Sequence, residues 1–205
     1  MAVAASSTLD GARHAAYARA MHATFSRRQF LGTLGAAAAG AALPTRAATA
    51  PLTSFFVIGD THFLAERNEP ERLNANSAAY TSQLVDTLNR LPGTMFSEAV
   101  GGGAVPVPAG VLHVGDVIDT GDKQGETQLT MQRTEWAAYA TQFGMSGQDG
   151  RLKFPIIEVA GNHDAPQGTG HAIEQMSARQ MARSYLKGRS KNGLHGSWDW
   201  GGVHF

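Results

Sequence analysis

Three short apolar runs, each closing on a glycine followed by acidic or histidine side chains, limit what this chain can fold into. Residues 54–58, 111–114 and 156–160 have the length and β-branched or aromatic content of buried strands. Gly59-Asp60-Thr61-His62 follows the first, Gly115-Asp116-Val117-Ile118-Asp119-Thr120-Gly121-Asp122 the second, and Gly161-Asn162-His163-Asp164 the third. In an open α/β sheet the carboxyl ends of the strands gather in one crevice, so motifs roughly 50 residues apart in the chain converge in space. Glycine ahead of each polar group permits a sharp turn and leaves room for an ion beside it. One Asp-x-His alone would be weak evidence. Three such motifs in order, each at a strand end, are a strong signal.

Amphipathic stretches separate the strands, which is the alternation of an α/β domain. Residues 77–90 place Tyr80, Leu84, Leu88 and Leu91 on one helical face behind an Asn76 cap. Residues 126–143 repeat the pattern with Leu129, Trp136, Tyr139 and Phe143, and a third helix is expected over 171–186. The Gly/Pro-rich segment 101–110 reads as a surface loop, and 194–205 as a hairpin turning at Gly201-Gly202.

Composition narrows the chemistry. Cysteine is absent, so disulfides and thiolate metal sites are excluded and only oxygen and imidazole ligands remain, which favours hard divalent cations. Lysine plus arginine (17) balances aspartate plus glutamate (17), and no basic patch for nucleic acid is evident. The charges are unevenly placed. Residues 1–47 hold Arg13, Arg19, Arg27, Arg28 and Arg46 against Asp10 alone, leaving the remainder with 12 basic and 16 acidic side chains.

Within that basic leader, Ser26-Arg27-Arg28-Gln29-Phe30-Leu31 precedes a weakly apolar Gly/Ala run over residues 32–43 and then Pro44. The arrangement resembles a twin-arginine signal peptide. Its apolar run is shorter and less apolar than the ~20 residues that span a membrane, so no stable membrane span is expected. Cleavage is expected after Ala47 or Ala50. Residues 1–50 are therefore read as the export signal, with the twin-arginine machinery as partner and the periplasm or the exterior as destination. Substrates of that route usually fold before export, often around a metal.

The order Asp-x-His, Gly-Asp-x-x-Asp, Gly-Asn-His-Asp resembles the calcineurin-like metallophosphoesterase superfamily. The resemblance runs over residues 54–205 and includes the closing Trp198-Asp199-Trp200-Gly201-Gly202-Val203-His204-Phe205. It implies an α/β fold built as a two-layer β-sandwich flanked by helices, with residues 51–205 as the N-terminal part of the domain. It also implies hydrolysis of a small phosphate monoester or diester by hydroxide activated between two divalent ions, manganese, iron or zinc. Carried over by position, Asp60 and His62 bind the first metal, Asn162 the second, and Asp116 bridges them. His163 stands near the leaving group, oriented by Asp119. Physical chemistry supports these roles: two neighbouring cations repel, a shared carboxylate relieves that repulsion, and an imidazole held by a carboxylate can protonate a leaving alkoxide.

The family pattern continues with a further histidine and a Gly-His-x-His motif, and no Gly-His-x-His occurs in this chain. The expectation is a chain incomplete at its C-terminus, with an unpaired sheet edge and fewer than two tightly held ions. Alternatives are a catalytically inactive fragment and a metal-free binding module of the same fold. The intact Asp60, His62, Asp116, Asn162 and His163 argue against the module. His171, His195 and His204 are read as packed or sheet-surface histidines, and His113 as a strand-packing residue. Asp122 and Asp164 fit equally a hydrogen-bonding role beside the ligands and a loop-capping one. Trp198 and Trp200 share one strand face and favour burial, while Arg67, Glu69, Glu71 and Arg72 read as a solvated surface loop.

The leader generates one expected outcome. Replacing Arg27 and Arg28 together by lysine should hold the precursor in the cytoplasm, as read by cell fractionation; unaltered export and processing would contradict the twin-arginine reading.

Overall fold

The computed structural model describes residues 52–164 and 168–205, so the leader and its cleavage positions lie outside the described residues. In chain order the elements are strand β1 (Phe56–Ile58), the hairpin β2 (Ala65–Glu66) and β3 (Glu69–Leu73), helix α1 (Ala75–Arg90), strand β4 (Val111–His113), helix α2 (Glu126–Phe143), strand β5 (Ile156–Glu158), helix α3 (His171–Ala182) and four two-residue strands. These last are β6 (Gly188–Arg189), β7 (Gly196–Ser197), β8 (Asp199–Trp200) and β9 (Val203–His204). The fold is α/β.

The three strands expected from the sequence form one parallel sheet in the order β1-β4-β5. Register aligns Phe56 with Val111 and Ile156, and Ile58 with His113 and Glu158, so one face carries all six of these side chains. Helices α1, α2 and α3 all pack on that face: Val85 and Leu88, Trp136, Tyr139 and Phe143, and Ala172 and Met176 share one core with Val111 and Ile156. Parallel sheets normally bury both faces. Here the opposite face is graded, with Val57 58% exposed and Ile157, in the same row two strands away, buried.

Local chemistry explains where the helices begin and end. Asn74, not Asn76, caps α1: its Oδ1 accepts from the backbone N–H groups of Asn76 and Ser77, while its amide donates to Glu66 Oε1 at 2.8 Å. The hairpin runs directly into the helix, so the first residue able to cap does so. The buried stripe is Thr81, Val85 and Leu88; Leu84 and Leu88 of the expected face meet the core, while Tyr80 is 70% exposed, a correction at that one position. Helix α2 likewise leaves Leu129 exposed and buries Gln132 and Glu135 instead. Helix α3 stops at Ala182, four residues earlier than expected; Arg183 turns extended and donates to Ile156 O at 2.8 Å and Glu158 Oε2 at 2.5 Å. The hairpin at the end of the chain turns at Gly201-Gly202 as expected, and Trp198 stacks on Phe205.

Two polar residues on the sheet's core face are made tolerable by their partners. Glu158 accepts from Tyr139 Oη at 2.9 Å and pairs with Arg179 at 2.6 Å and Arg183 at 2.5 Å. Burial alone would push its carboxyl up, but the two guanidinium groups hold it below the usual carboxylate range. His113 is fully buried, edge-on to Tyr139 and Phe143, as a strand-packing residue should be. Its Nδ1 lies 3.4 Å from the Gly115 N–H and its Nε2 2.9 Å from Thr61 Oγ1, and Thr61 in turn donates to Val117 O. The chain of bonds fits a neutral imidazole protonated on Nε2.

Burial pulls the His113 pKa down from 6.5 to about 4. Between those values the unfolded chain binds the extra proton and the folded one does not. Stability attributable to His113 is therefore complete above pH 6.5 and declines as pH falls toward 4, by roughly 3 kcal/mol in all. Urea unfolding in the presence of chelator should show a shallower loss of stability over this window for His113→Gln than for the unaltered protein. Parallel pH profiles for the two would show that His113 is not buried as a neutral ring.

Candidate metal centre

The loops after β1 and β4 are zipped together by main-chain bonds. Asp60 N–H donates to Gly115 O at 3.0 Å, His62 N–H to Asp116 O at 3.1 Å, Phe63 N–H to Val117 O at 3.0 Å, and Asp119 N–H back to Phe63 O at 3.0 Å. Phe63 is fully buried against Tyr139 and Phe143 and plugs this ladder into the core. Three residues other than glycine have positive φ among the described residues: Asp60 (54°), His62 (40°) and Asp116 (54°). Such conformations cost about 1–3 kcal/mol each and persist where the surroundings over-determine them. All three are metal-ligand candidates from the sequence.

Buried carboxylates supply that over-determination. Asp164 is fully buried; its Oδ1 accepts from Val117 N–H at 2.9 Å and Ile118 N–H at 3.0 Å, and its Oδ2 from Gly161 N–H at 2.8 Å. It thus ties the third motif to the second, which makes it the loop clamp that its sequence position left open. Glu135 of α2, also fully buried, accepts from Ala65 N–H at 3.0 Å and from the Thr120 hydroxyl at 2.7 Å, joining the first motif's exit to the second's. Burial raises both carboxyl pKa values, while the donated hydrogen bonds work against the rise.

The motif glycines serve the packing of loop on loop. A Cβ on Gly161 would stand 2.2 Å from Asp116 Oδ1, and one on Gly121 would stand 2.2 Å from Asp164 O. The space that the sequence reading reserved for an ion beside Gly161 is occupied by the Asp116 carboxylate. His163 N–H donates to that same Oδ1 at 2.8 Å, which fixes how Asp116 is turned.

Two overlapping groups of donors result, and His62 belongs to both. Asp60, His62 and Asp116 form one; His62, Asp119 and His163 form the other. His62 Nε2 lies 3.9 Å from Asp60 Oδ1 and 3.9 Å from Asp116 Oδ2, and its Nδ1 lies 3.3 Å from Asp119 Oδ1. The rings of His62 and His163 meet edge to face with centroids 4.8 Å apart. Nδ1 of His62 is buried without a hydrogen bond of good geometry. That orphaned atom, opposite a carboxylate, together with an all-oxygen and imidazole donor set, fits a hard or borderline divalent cation on the Nε2 side.

The sequence assigned Asp119 to orient His163, and the atoms involved differ from that expectation. His163 Nδ1 lies 3.1 Å from the main-chain oxygen of Asp119, and this bond raises the imidazole's pKa above its ordinary value. The Asp119 carboxylate instead faces His62 and accepts from Lys123 Nζ at 3.0 Å. Asn162 stands exposed in the same turn as His163. Asp122 approaches His163 Nδ1 to 3.9 Å. The supporting residues Thr61, Lys123 and Glu135 escaped the sequence reading. Thr61, between the two residues of the Asp-x-His motif, had a sequence signal in its place; Glu135 had only its place among apolar helix positions.

Residues 53–201 match the model of a family described as calcineurin-like phosphoesterase. Residues 24–44, outside the described residues, match the signal sequence of the twin-arginine translocation pathway. No curated protein and no solved structure matches the chain.

Proposed function

The chain belongs to the calcineurin-like phosphoesterase family, which implies metal-dependent hydrolysis of phosphate esters, and we propose that its reaction is run by six side chains at the strand ends, Asp60, His62, Asp116, Asp119, Asn162 and His163. Its twin-arginine signal directs it out of the cytoplasm, to the periplasm or beyond, and no helix among the described residues is long and apolar enough to cross a membrane. We read residues 1–50 as the exported protein's leader and 51–205 as the N-terminal part of the phosphoesterase domain. The finer architecture, a two-layer β-sandwich, is supported by the apolar sheet face around Val57 and Val159, each 58% exposed, which a second sheet would cover.

The observation that carries the mechanism is His62 shared between two donor groups. Asp60 and His62 Nε2 would hold one divalent ion, Asp116 would bridge to a second, and Asn162 would complete the protein's contribution there. Manganese, iron and zinc all suit oxygen and imidazole donors. Bound ions of this kind neutralise phosphoryl charge and acidify a water molecule. The chain's own residues do the rest. Asp119 faces Nδ1 of His62 with its carboxylate, which favours a proton on Nδ1 and turns the Nε2 lone pair toward Asp60 and Asp116. Its carbonyl accepts a hydrogen bond from Nδ1–H of His163, leaving Nε2 as the position from which a proton reaches the departing alkoxide oxygen. Neutral Asn162 adds a ligand without adding negative charge against an anionic ester.

Removing metal with a chelator should abolish hydrolysis of an aryl phosphate, and Mn²⁺ should restore it. His163→Ala should keep metal content near normal and lower turnover on an ester with a poor leaving group by on the order of 10²–10⁴. Activity indifferent to chelator would sink the metal mechanism, and no turnover even with Mn²⁺ supplied would favour a binding module; full activity of His163→Ala on the poor leaving group would remove the imidazole from the chemistry.

A further inference from the structure

Asp119 has a second neighbourhood. Besides facing His62, it lines a cavity of about 510 Å³ together with Glu66, Arg67, Lys123 and Gln128, a volume in the range that holds a small-molecule ligand. A somewhat larger cavity, about 590 Å³, lies between β3 and the start of α2, lined by Glu69, Glu71, Arg72 and Glu126, and includes none of the candidate ligands. Of these two, the Asp119 cavity is the one that shares a residue with the candidate site. It lies on the flank where the Asp119 carbonyl holds His163, the residue assigned to the leaving group.

The charge of this cavity is set by which groups are already engaged. Glu66 accepts from the Asn74 amide at 2.8 Å, which anchors its carboxylate toward the α1 cap. Lys123 is drawn to Asp119, bonding its Oδ2 at 3.0 Å and its carbonyl at 3.3 Å, which puts an ammonium group at the boundary between cavity and site. Arg67 sits in the turn between β2 and β3, exposed, and forms no ion pair among the described residues. Lys123 is thus matched by Asp119 and Glu66 by the Asn74 amide, which leaves the Arg67 guanidinium as the cavity's unengaged charge among the described residues. An exposed guanidinium facing a cavity is suited to a planar anion such as a carboxylate.

We infer that the cavity bounded by Arg67 and Lys123 receives the leaving-group portion of the substrate and selects esters carrying an anionic substituent there. The inference rests on the hydrolase reading above and names the substrate class of that site. Phosphorus and the scissile oxygen stay at the Asp60–His163 cluster, and the substituent extends over Asp119 into the cavity. Lys123 screens the Asp119 carboxylate from it, and Arg67 makes the direct charge-assisted contact.

The test compares two esters of matched shape, 4-carboxyphenyl phosphate and 4-carbamoylphenyl phosphate, on the full chain with Mn²⁺. The ratio of kcat/KM should favour the carboxylate by roughly five- to tenfold, mainly through KM, since the contact is partly exposed to solvent. Arg67→Gln should bring the ratio close to one, and Arg67→Lys should retain most of it. Parity in the unaltered protein, or a preference that survives both Arg67→Gln and Lys123→Gln, would overturn the inference. Binding of the product 4-hydroxybenzoate against 4-hydroxybenzamide, followed by ligand-observed NMR, reads the cavity without turnover. Benzoate binding that depends on Arg67 in a chain that hydrolyses neither ester would support the cavity and count against the hydrolase reading. Benzoate and benzamide binding equally would overturn the cavity assignment whatever the chain hydrolyses.

Discussion

The buried carboxylate of Asp164 is the constraint on which the candidate site depends. It accepts three main-chain N–H groups from two different loops, Val117 and Ile118 in one and Gly161 in the other. Those loops then come so close that Gly161 can have no side chain, because Asp116 fills the place its Cβ would take. An unpaired buried carboxylate would be costly, and each unsatisfied buried N–H would cost about 1–3 kcal/mol. Together they satisfy one another, and the satisfied set specifies one arrangement of the second and third motifs. Glu135 does the same between the first and second motifs from the far side of the core.

With the loops fixed in this way, left-handed backbone at Asp60, His62 and Asp116 becomes an affordable means of aiming side chains. The strain amounts to a few kcal/mol in total at about 1–3 kcal/mol per residue. Against it stand the main-chain ladder from Asp60 to Asp119 and the burial of Phe63 in the aromatic core of Tyr139 and Phe143. The donors are consequently directed at one another before any ligand arrives, although like-charged carboxylates brought together repel. A cation relieves that repulsion, so the same geometry that costs folding energy favours metal binding. The bond between buried His113 and Thr61 belongs to this scheme, since it steadies the residue between the two candidate ligands of the first motif.

Much of this was legible in the sequence. Three apolar runs that each end in Gly-Asp or Gly-Asn fixed the parallel strands and their polar ends, because burial and turn chemistry at those points are local. Less legible was everything that depends on tertiary partners. The hairpin of β2 and β3 reads as a polar loop because five of its residues are charged, and it becomes a hairpin through packing on α2 and the Glu135 bond to Ala65. Tyr80 and Leu129 fit apolar helix stripes by spacing, yet the buried positions went to Thr81, whose hydroxyl donates to Ser77 O in its own helix, and to Gln132 and Glu135, whose polar groups find partners in neighbouring loops. Asp119 does lie beside both histidines, but which of its oxygens meets which histidine follows from the path of the loop, and spacing carries no information about that.

The central claim is that the strand-end motifs hold divalent cations through Nε2 of His62, with Nδ1 kept protonated toward Asp119. Long-range ¹H–¹⁵N spectra of imidazole-labelled protein, recorded as Zn²⁺ is added, test it directly. The account predicts that the Nε2 resonance of His62 moves to the metal-bound position while Nδ1 retains its proton. It also predicts that the buried ring of His113 stays unaffected. Coordination through Nδ1, or a His62 spectrum indifferent to saturating metal, would contradict it.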